Sequence, residues 1–139
     1  MKLLLHTCCA PCSVYCIKSL RQEEIEPTVY WFNPNIHPYM EYKARRDTLK
    51  EYTQSIGIEA IFEENYGLKE FCKNVVNDLE NRCAKYCYRV RLEQAAKFAK
   101  QNRIWGFYNN TVSKPISKSW WADKNWTRNG RKIWYRILI

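Results

Sequence analysis

Three short runs of strand-forming residues, KLLLH at 2–6, TVYWF at 28–32 and IEAIF at 58–62, each give way to turn residues and then to a helical pattern. A strand followed by a helix rejoins its sheet most simply alongside and in the same direction. The alternation therefore predicts βαβ units, an α/β fold with a Rossmann-like parallel sheet flanked by helices. Three consecutive leucines, with no polar alternation, suit a strand buried on both faces. After Pro11, which fits a first helical turn, Val14, Ile17 and Leu20 recur every three residues, so a helix to about Gln22 is expected. Tyr42, Leu49, Tyr52 and Ile56 share one face of a second helix that Gly57 can cap. Two more helical patterns run from about Leu68 to Leu79 and from about Tyr86 to Lys100, the latter carrying Val90, Leu92, Ala95, Ala96 and Ala99.

A chain of 139 residues has room for one domain with a real core. No apolar run nears the roughly 18 residues of a membrane span, and three leucines are too few for a secretory signal, so a cytoplasmic protein is expected. Seven cysteines, an odd number, in a reducing compartment point to metal binding or redox chemistry ahead of structural disulfides. The net charge of +9 is uneven: residues 1–100 hold 15 Lys+Arg against 13 Asp+Glu, and residues 101–139 hold 8 against Asp123 alone.

Ligands of parallel α/β sheets bind at the carboxyl ends of the strands, where HTCCAPCS (6–13) and NPNIHP (33–38) both fall. Cys8, Cys9 and Cys12 lie in the first loop. Cys83 and Cys87 stand near the start of the last helix, four residues apart and so on neighbouring turns of one face. Distant cysteine groups that converge are how many cysteine-ligated clusters are built, and a helix start with Arg82, Arg89 and Arg91 nearby favours the thiolates they need. Zinc suits four thiolates as well, and Cys9–Cys12 also fits a Cys-x-x-Cys redox pair beside a βαβ unit. Cys16 and Cys72, alone on helical patterns, read as small buried hydrophobes. His6 and His37 are expected at strand ends facing the site. Asn33, Asn35, the stretch Glu41 to Arg46 with Tyr42 in it, and Arg91 are candidate substrate contacts, or else loop caps and solvated helix surface.

After Lys100 the pattern changes. Trp105, Trp120, Trp121, Trp126 and Trp134, five of the six tryptophans, fall in 39 residues without period. A basic, aromatic nucleic-acid arm is one reading. The genetic code offers another. Tryptophan is encoded TGG, and a frame one nucleotide later turns each into glycine. The same shift permits Thr at 108, 109 and 110, Leu at 111, then Val-Ser-Pro-Tyr-Gln after one ambiguous position. From Trp126 it permits Gly-x-Glu-Met-Ala-Glu-Lys-Phe-Gly-Ile-Glu-Phe, a helix, a glycine cap and a strand start. A frame disruption near residue 101 would make 101–139 an altered remainder of the domain formed by 1–100.

HTCCAPCS, WFNPNIHPYMEYKARR and RCAKYCYRVRLEQAAKFAK together resemble, in order and spacing across about residues 1–100, the epoxyqueuosine reductase family QueH. The shifted-frame TTTLxVSPYQ looks like that family's next motif. The resemblance implies a fold akin to the adenine nucleotide alpha hydrolase-like group, with the cysteine loop where relatives carry a phosphate loop. It implies a 4Fe-4S cluster with an additional iron, Cys8, Cys9, Cys12, Cys83 and Cys87 as metal ligands, and tRNA carrying epoxyqueuosine as substrate. The implied reaction is reduction to queuosine, the last step of that nucleoside's synthesis, with electrons from an unidentified donor. Removing an epoxide oxygen takes two electrons that no ordinary side chain supplies. One departure is that the family's second pair is usually Cys-x-x-Cys, whereas three residues separate Cys83 from Cys87. Two other functions fit parts of the sequence: a thioredoxin-like dithiol oxidoreductase using Cys9 and Cys12, and a zinc-binding, RNA-binding module using the basic tail.

Overall fold

The structure is a computed structural model that describes residues 3–104 and, as backbone, 106–109. Its elements are β1 (Leu3–His6), α1 (Ala10–Gln22), β2 (Pro27–Trp31), α2 (Tyr39–Ser55), β3 (Ala60–Phe62), α3 (Leu68–Val75), a π-helical turn (Cys83–Cys87), α4 (Tyr88–Gln101) and β4 (Gly106–Asn109). The four strands are all parallel, in the order β3-β2-β1-β4. Leu5 lies opposite Val29, Tyr30 opposite Ile61 and His6 opposite Asn109. The expected α/β parallel sheet is thus what the chain forms.

Alternate side chains of the central strands feed two cores, as the period of two in a strand requires. Leu5, Val29 and Trp31 meet Ile17 and Leu20 of α1 and Leu49 of α2. Leu4, Tyr30 and Phe32 meet Ala95 and Ala99 of α4. Both faces of β1 are therefore covered, which is why its leucines are consecutive. The two alanines bring α4 close enough for Phe98 to stack on Tyr30, ring centroids 4.7 Å apart. The Tyr30 hydroxyl donates to Glu63, whose other oxygen accepts from Gln94 Nε2 at 2.8 Å, tying α4 to the residue after β3.

Chain order runs outward from β1 to β3 and then returns to the other edge of β1. That reversal makes the end of β1 the topological switch point, where crevices open in such sheets.

Several boundaries differ from those expected. β3 shortens to three residues. The third helix stops at Val75, its one fully buried residue, instead of running to Leu79. Among the described residues Val76 and Leu79 are exposed, so continuing the helix would bury neither of them. Asp78 accepts from the Asn81 backbone N–H at 3.2 Å, a local bond that competes with helix continuation. Gly57, at φ +64°, ends α2 as expected. Gly67, at φ +59°, would put a Cβ 2.8 Å from Pro34 Cβ, so only glycine lets the NPNIHP loop pack there.

Past Lys100, Gly106–Asn109 adds a parallel strand to β1. The five tail tryptophans, the basic arm and the shifted-frame segment beyond 109 lie outside the described residues. Among the described residues no helix is long and apolar enough to cross a membrane.

Candidate metal and substrate site

The ends of β1 and β2 are locked together before the cysteine loop begins. Thr7 N–H donates to Tyr30 O at 3.0 Å, Asn33 Nδ2 donates to Thr7 O at 2.9 Å, and the Nε2–H of His6 donates to Phe32 O at 2.9 Å. From that fixed point the chain turns at Cys9, in extended conformation, and enters α1 with Pro11 in its first turn. Ser13 Oγ donates back to Ala10 O at 2.8 Å and holds the turn.

The Sγ atoms of Cys8, Cys9 and Cys12 consequently all lie within 4.8 Å of one another. Cys8 and Cys9 are 3.8 Å apart and Cys9 and Cys12 3.0 Å. Exposure rises along the set: Cys8 is buried, Cys9 half-buried and Cys12 exposed. Burial, and then the neighbouring thiols, push the Cys8 thiol up to about 12. Its hydrogen bond with Cys9, and then burial, push Cys12 upward, while Arg45 pulls the other way. Three thiolates cannot crowd together without a compensating cation. The donor set fits one: two thiolates sharing a tetrahedral ion at about 2.3 Å lie about 3.8 Å apart. Cys8, Cys9 and Cys12 can thus hold a soft metal centre.

Cys83 and Cys87 lie outside that three-thiol group. Cys87 is buried and Cys83 exposed. Burial and then Cys83 push the Cys87 thiol upward, against Arg91 and Arg82. The π turn accounts for their spacing. Tyr88 N–H donates to Cys83 O, five residues back, so the turn holds one residue more than an α-helical turn and delivers Cys87 into α4.

Arg91 is tied to the Cys87 turn, and its charge also acts on Cys8. Its side chain is buried, its Nε donates to Cys87 O at 2.8 Å, and its guanidinium lies 5.3 Å from the Tyr88 ring centre. Burial lowers its pKa, opposed by Cys8 first and then by Cys87.

The remaining sequence-derived candidates divide. His6 and Asn33 are fully buried and serve the β1–β2 junction. His37 sits against Tyr66 and Phe71, with ring centroids 4.7 and 4.5 Å away. Burial holds His37 below the usual histidine pKa. Its Nε2–H donates to Pro34 O at 3.0 Å, which leaves Nδ1 as the acceptor side. Thr7 Oγ1, Asn33 Oδ1, Asn35 Oδ1 and His37 Nδ1 are buried without a partner among the described residues, four polar atoms at one end of the sheet. Tyr42 is core, edge-on to Trp31 at 4.8 Å. Arg46 is engaged by Asp47 at 2.8 Å and Glu64 at 2.7 Å. The neighbouring arginine is the one whose charge acts on the thiols: Arg45 pairs with Glu41 at 2.6 Å and feels Cys8 and Cys9. A signal existed, since adjacent helical residues diverge by about 100° and only one of the two can face the cysteine loop.

Sequence reasoning also missed the rim. Val14 and Tyr15 of α1, Tyr39 and Met40 of α2, Leu68 of α3 and Tyr88 of α4 are large, apolar and exposed, Tyr15 by 67 %. All lie in the first two turns of their helices. In a parallel α/β fold those turns surround the carboxyl ends of the strands.

The family model described as epoxyqueuosine reductase QueH matches residues 3–126, and so includes every element above. The chain belongs to this family. It is 41 % identical over 117 residues to the epoxyqueuosine reductase QueH of Dehalococcoides mccartyi, covering 84 % of this chain and 64 % of that protein. The QueH of Histophilus somni is 36 % identical over 129 residues, 89 % of this chain and 50 % of the relative. That of Acinetobacter baylyi is 35 % identical over 122 residues, 84 % and 54 %. The chain thus spans between half and two thirds of the length of these QueH proteins.

Proposed function

We propose that this chain reduces epoxyqueuosine in tRNA to queuosine, as an iron–sulfur enzyme of the cytoplasm. The observation that carries this reading is the convergence of the Cys8, Cys9 and Cys12 thiols at the switch point of a QueH-family sheet. We take Cys8, Cys9, Cys12, Cys83 and Cys87 as the ligands of a 4Fe-4S cluster and an additional iron. When bound, such a group supplies electrons one at a time and a Lewis-acidic iron.

The reaction needs two electrons and two protons, and the epoxide oxygen departs as water. The chain's own residues bind, orient and exclude. Asn33, Asn35 and His37 offer unpaired polar atoms to the nucleoside's hydroxyl groups, and neutral His37 presents an acceptor. Tyr66 and Phe71 shield His37 from water. Tyr15, Tyr39 and Tyr88 suit an RNA loop, because unstacked bases dock on exposed aromatic rings. The cysteine loop occupies the place of a phosphate loop in an adenine nucleotide alpha hydrolase-like fold, and an external donor supplies electrons.

The test is anaerobic reconstitution with iron and sulfide, then incubation with tRNA carrying epoxyqueuosine and a chemical reductant. Thiolate-to-iron charge-transfer absorbance, and queuosine on nucleoside mass spectrometry, are expected. Absence of iron uptake, or disulfide reduction that persists without metal and without Cys83 and Cys87, overturns the reading.

A further inference from the structure

Arginine is rarely buried without an anionic partner, because a desolvated guanidinium is costly. Arg21, Arg45, Arg46 and Arg89, none of them buried, pair with carboxylates. Arg91 is the one buried arginine among the described residues. It is 6 % exposed, yet among the described residues its one hydrogen bond goes to the Cys87 carbonyl and it meets no carboxylate. The π turn puts it one helical turn past Cys87, and the groups that act on it most strongly are Cys8, Cys87, Tyr88 and Cys83. Arg91 is thus a buried cation, seated on the backbone of the Cys83–Cys87 turn, with no carboxylate beside it among the described residues and with its charge acting on Cys8 as well.

We propose that Arg91 is a positioning residue whose fixed charge couples the two cysteine segments and sets how readily the group they hold accepts an electron. The inference rests on the metal reading above. An added electron raises the negative charge next to Arg91. Removing the cation disfavours the reduced state and moves the reduction potential to more negative values. Replacement by lysine keeps the charge and loses only the planar fork.

The experiment is a spectroelectrochemical titration of the anaerobically reconstituted full chain and of its Arg91→Met, Arg91→Lys and Arg89→Met variants. Iron per chain and thermal melting are recorded for each. Arg91→Met is expected to give a potential clearly more negative than wild type, and Arg91→Lys one close to it. Arg89→Met removes an exposed charge on the same helix, paired with Glu93 at 2.7 Å, and is expected to give no shift. Equal potentials for wild type and Arg91→Met overturn the inference while leaving the metal reading intact. Equal shifts for the methionine and lysine variants overturn it as well, since a merely structural role is insensitive to charge. If Arg91→Met does not fold, the lysine variant decides: a potential clearly displaced from wild type overturns the proposal, and a retained one supports it. A wild-type chain that takes up no iron overturns both readings.

Discussion

At the scale of single residues, the site is a problem of proton release. Cys8 holds its proton up to about pH 12 and Cys12 above its ordinary range, so these two thiols keep their protons near pH 7 when no metal is bound. A metal ligated there must displace those protons, so binding strengthens as pH rises. Titration with Fe²⁺ or Zn²⁺ between pH 6 and pH 9 should give affinity increasing with pH, with protons released into a weak buffer. A flat profile would mean that the thiols are not the ligands. Cys8→Ala should lose most bound metal while keeping the fold, because alanine fills a small buried position acceptably. The thiols were legible in the sequence because three cysteines within five positions, just after a strand, declare themselves. Arg45 was only half legible, because helix geometry lets one of two adjacent arginines face the loop while the charge pattern does not say which.

At the scale of elements, the strands and helices were readable wherever burial and periodicity agreed. The runs LLLH and TVYW, Ile17 and Leu20 of the α1 repeat and Ala95 and Ala99 of α4 sit where their spacing placed them, whereas Val14, the first of that repeat, is exposed. The ends were less readable. Leu79 continued a helical period on paper, but a period stabilises a helix only where a core receives it, and among the described residues that face is exposed. The π turn could not be read from periodicity at all, since one extra residue looks like any other spacing. It makes a sharp prediction. Deleting exposed Ala84 restores Cys-x-x-Cys and should close the turn to an ordinary α-helical one, with helicity and iron loading retained. Collapse of either by circular dichroism or iron assay would show that the wider turn is required. The helix starts carry another. Tyr15→Ala should weaken binding of tRNA carrying epoxyqueuosine by about 1–3 kcal/mol, the usual worth of a base–aromatic stack, and Tyr15→Phe should not. Unchanged binding by fluorescence anisotropy would remove Tyr15 from the RNA surface.

At the scale of the whole molecule, β1 is the organising strand. It is covered on both faces, paired on both edges, and ends in the cysteine loop. Losing side-chain volume there should be expensive: Leu5→Ala is expected to cost about 2–5 kcal/mol in a denaturant melt, against well under 1 kcal/mol for an exposed change such as Met40→Ala. The tail is where sequence reading turns from physics to genetics. Its composition has no structural grammar as written, but one shifted by a nucleotide does. The coding DNA across Lys100 should contain an open frame one base along that encodes Thr-Thr-Thr-Leu; a sequence without it closes the question.

The thiols' rising exposure from Cys8 through Cys9 to Cys12 has a consequence for how such a protein ages. Oxidants and alkylating reagents meet the set from one corner. Cys12 is the sulfur that dissolved oxygen, peroxide or iodoacetamide reaches first, and Cys8 the last. Damage should therefore begin at Cys12, and a sulfenate formed there would condense with the Cys9 thiol 3.0 Å away, giving a Cys9–Cys12 disulfide and water while buried Cys8 stays reduced.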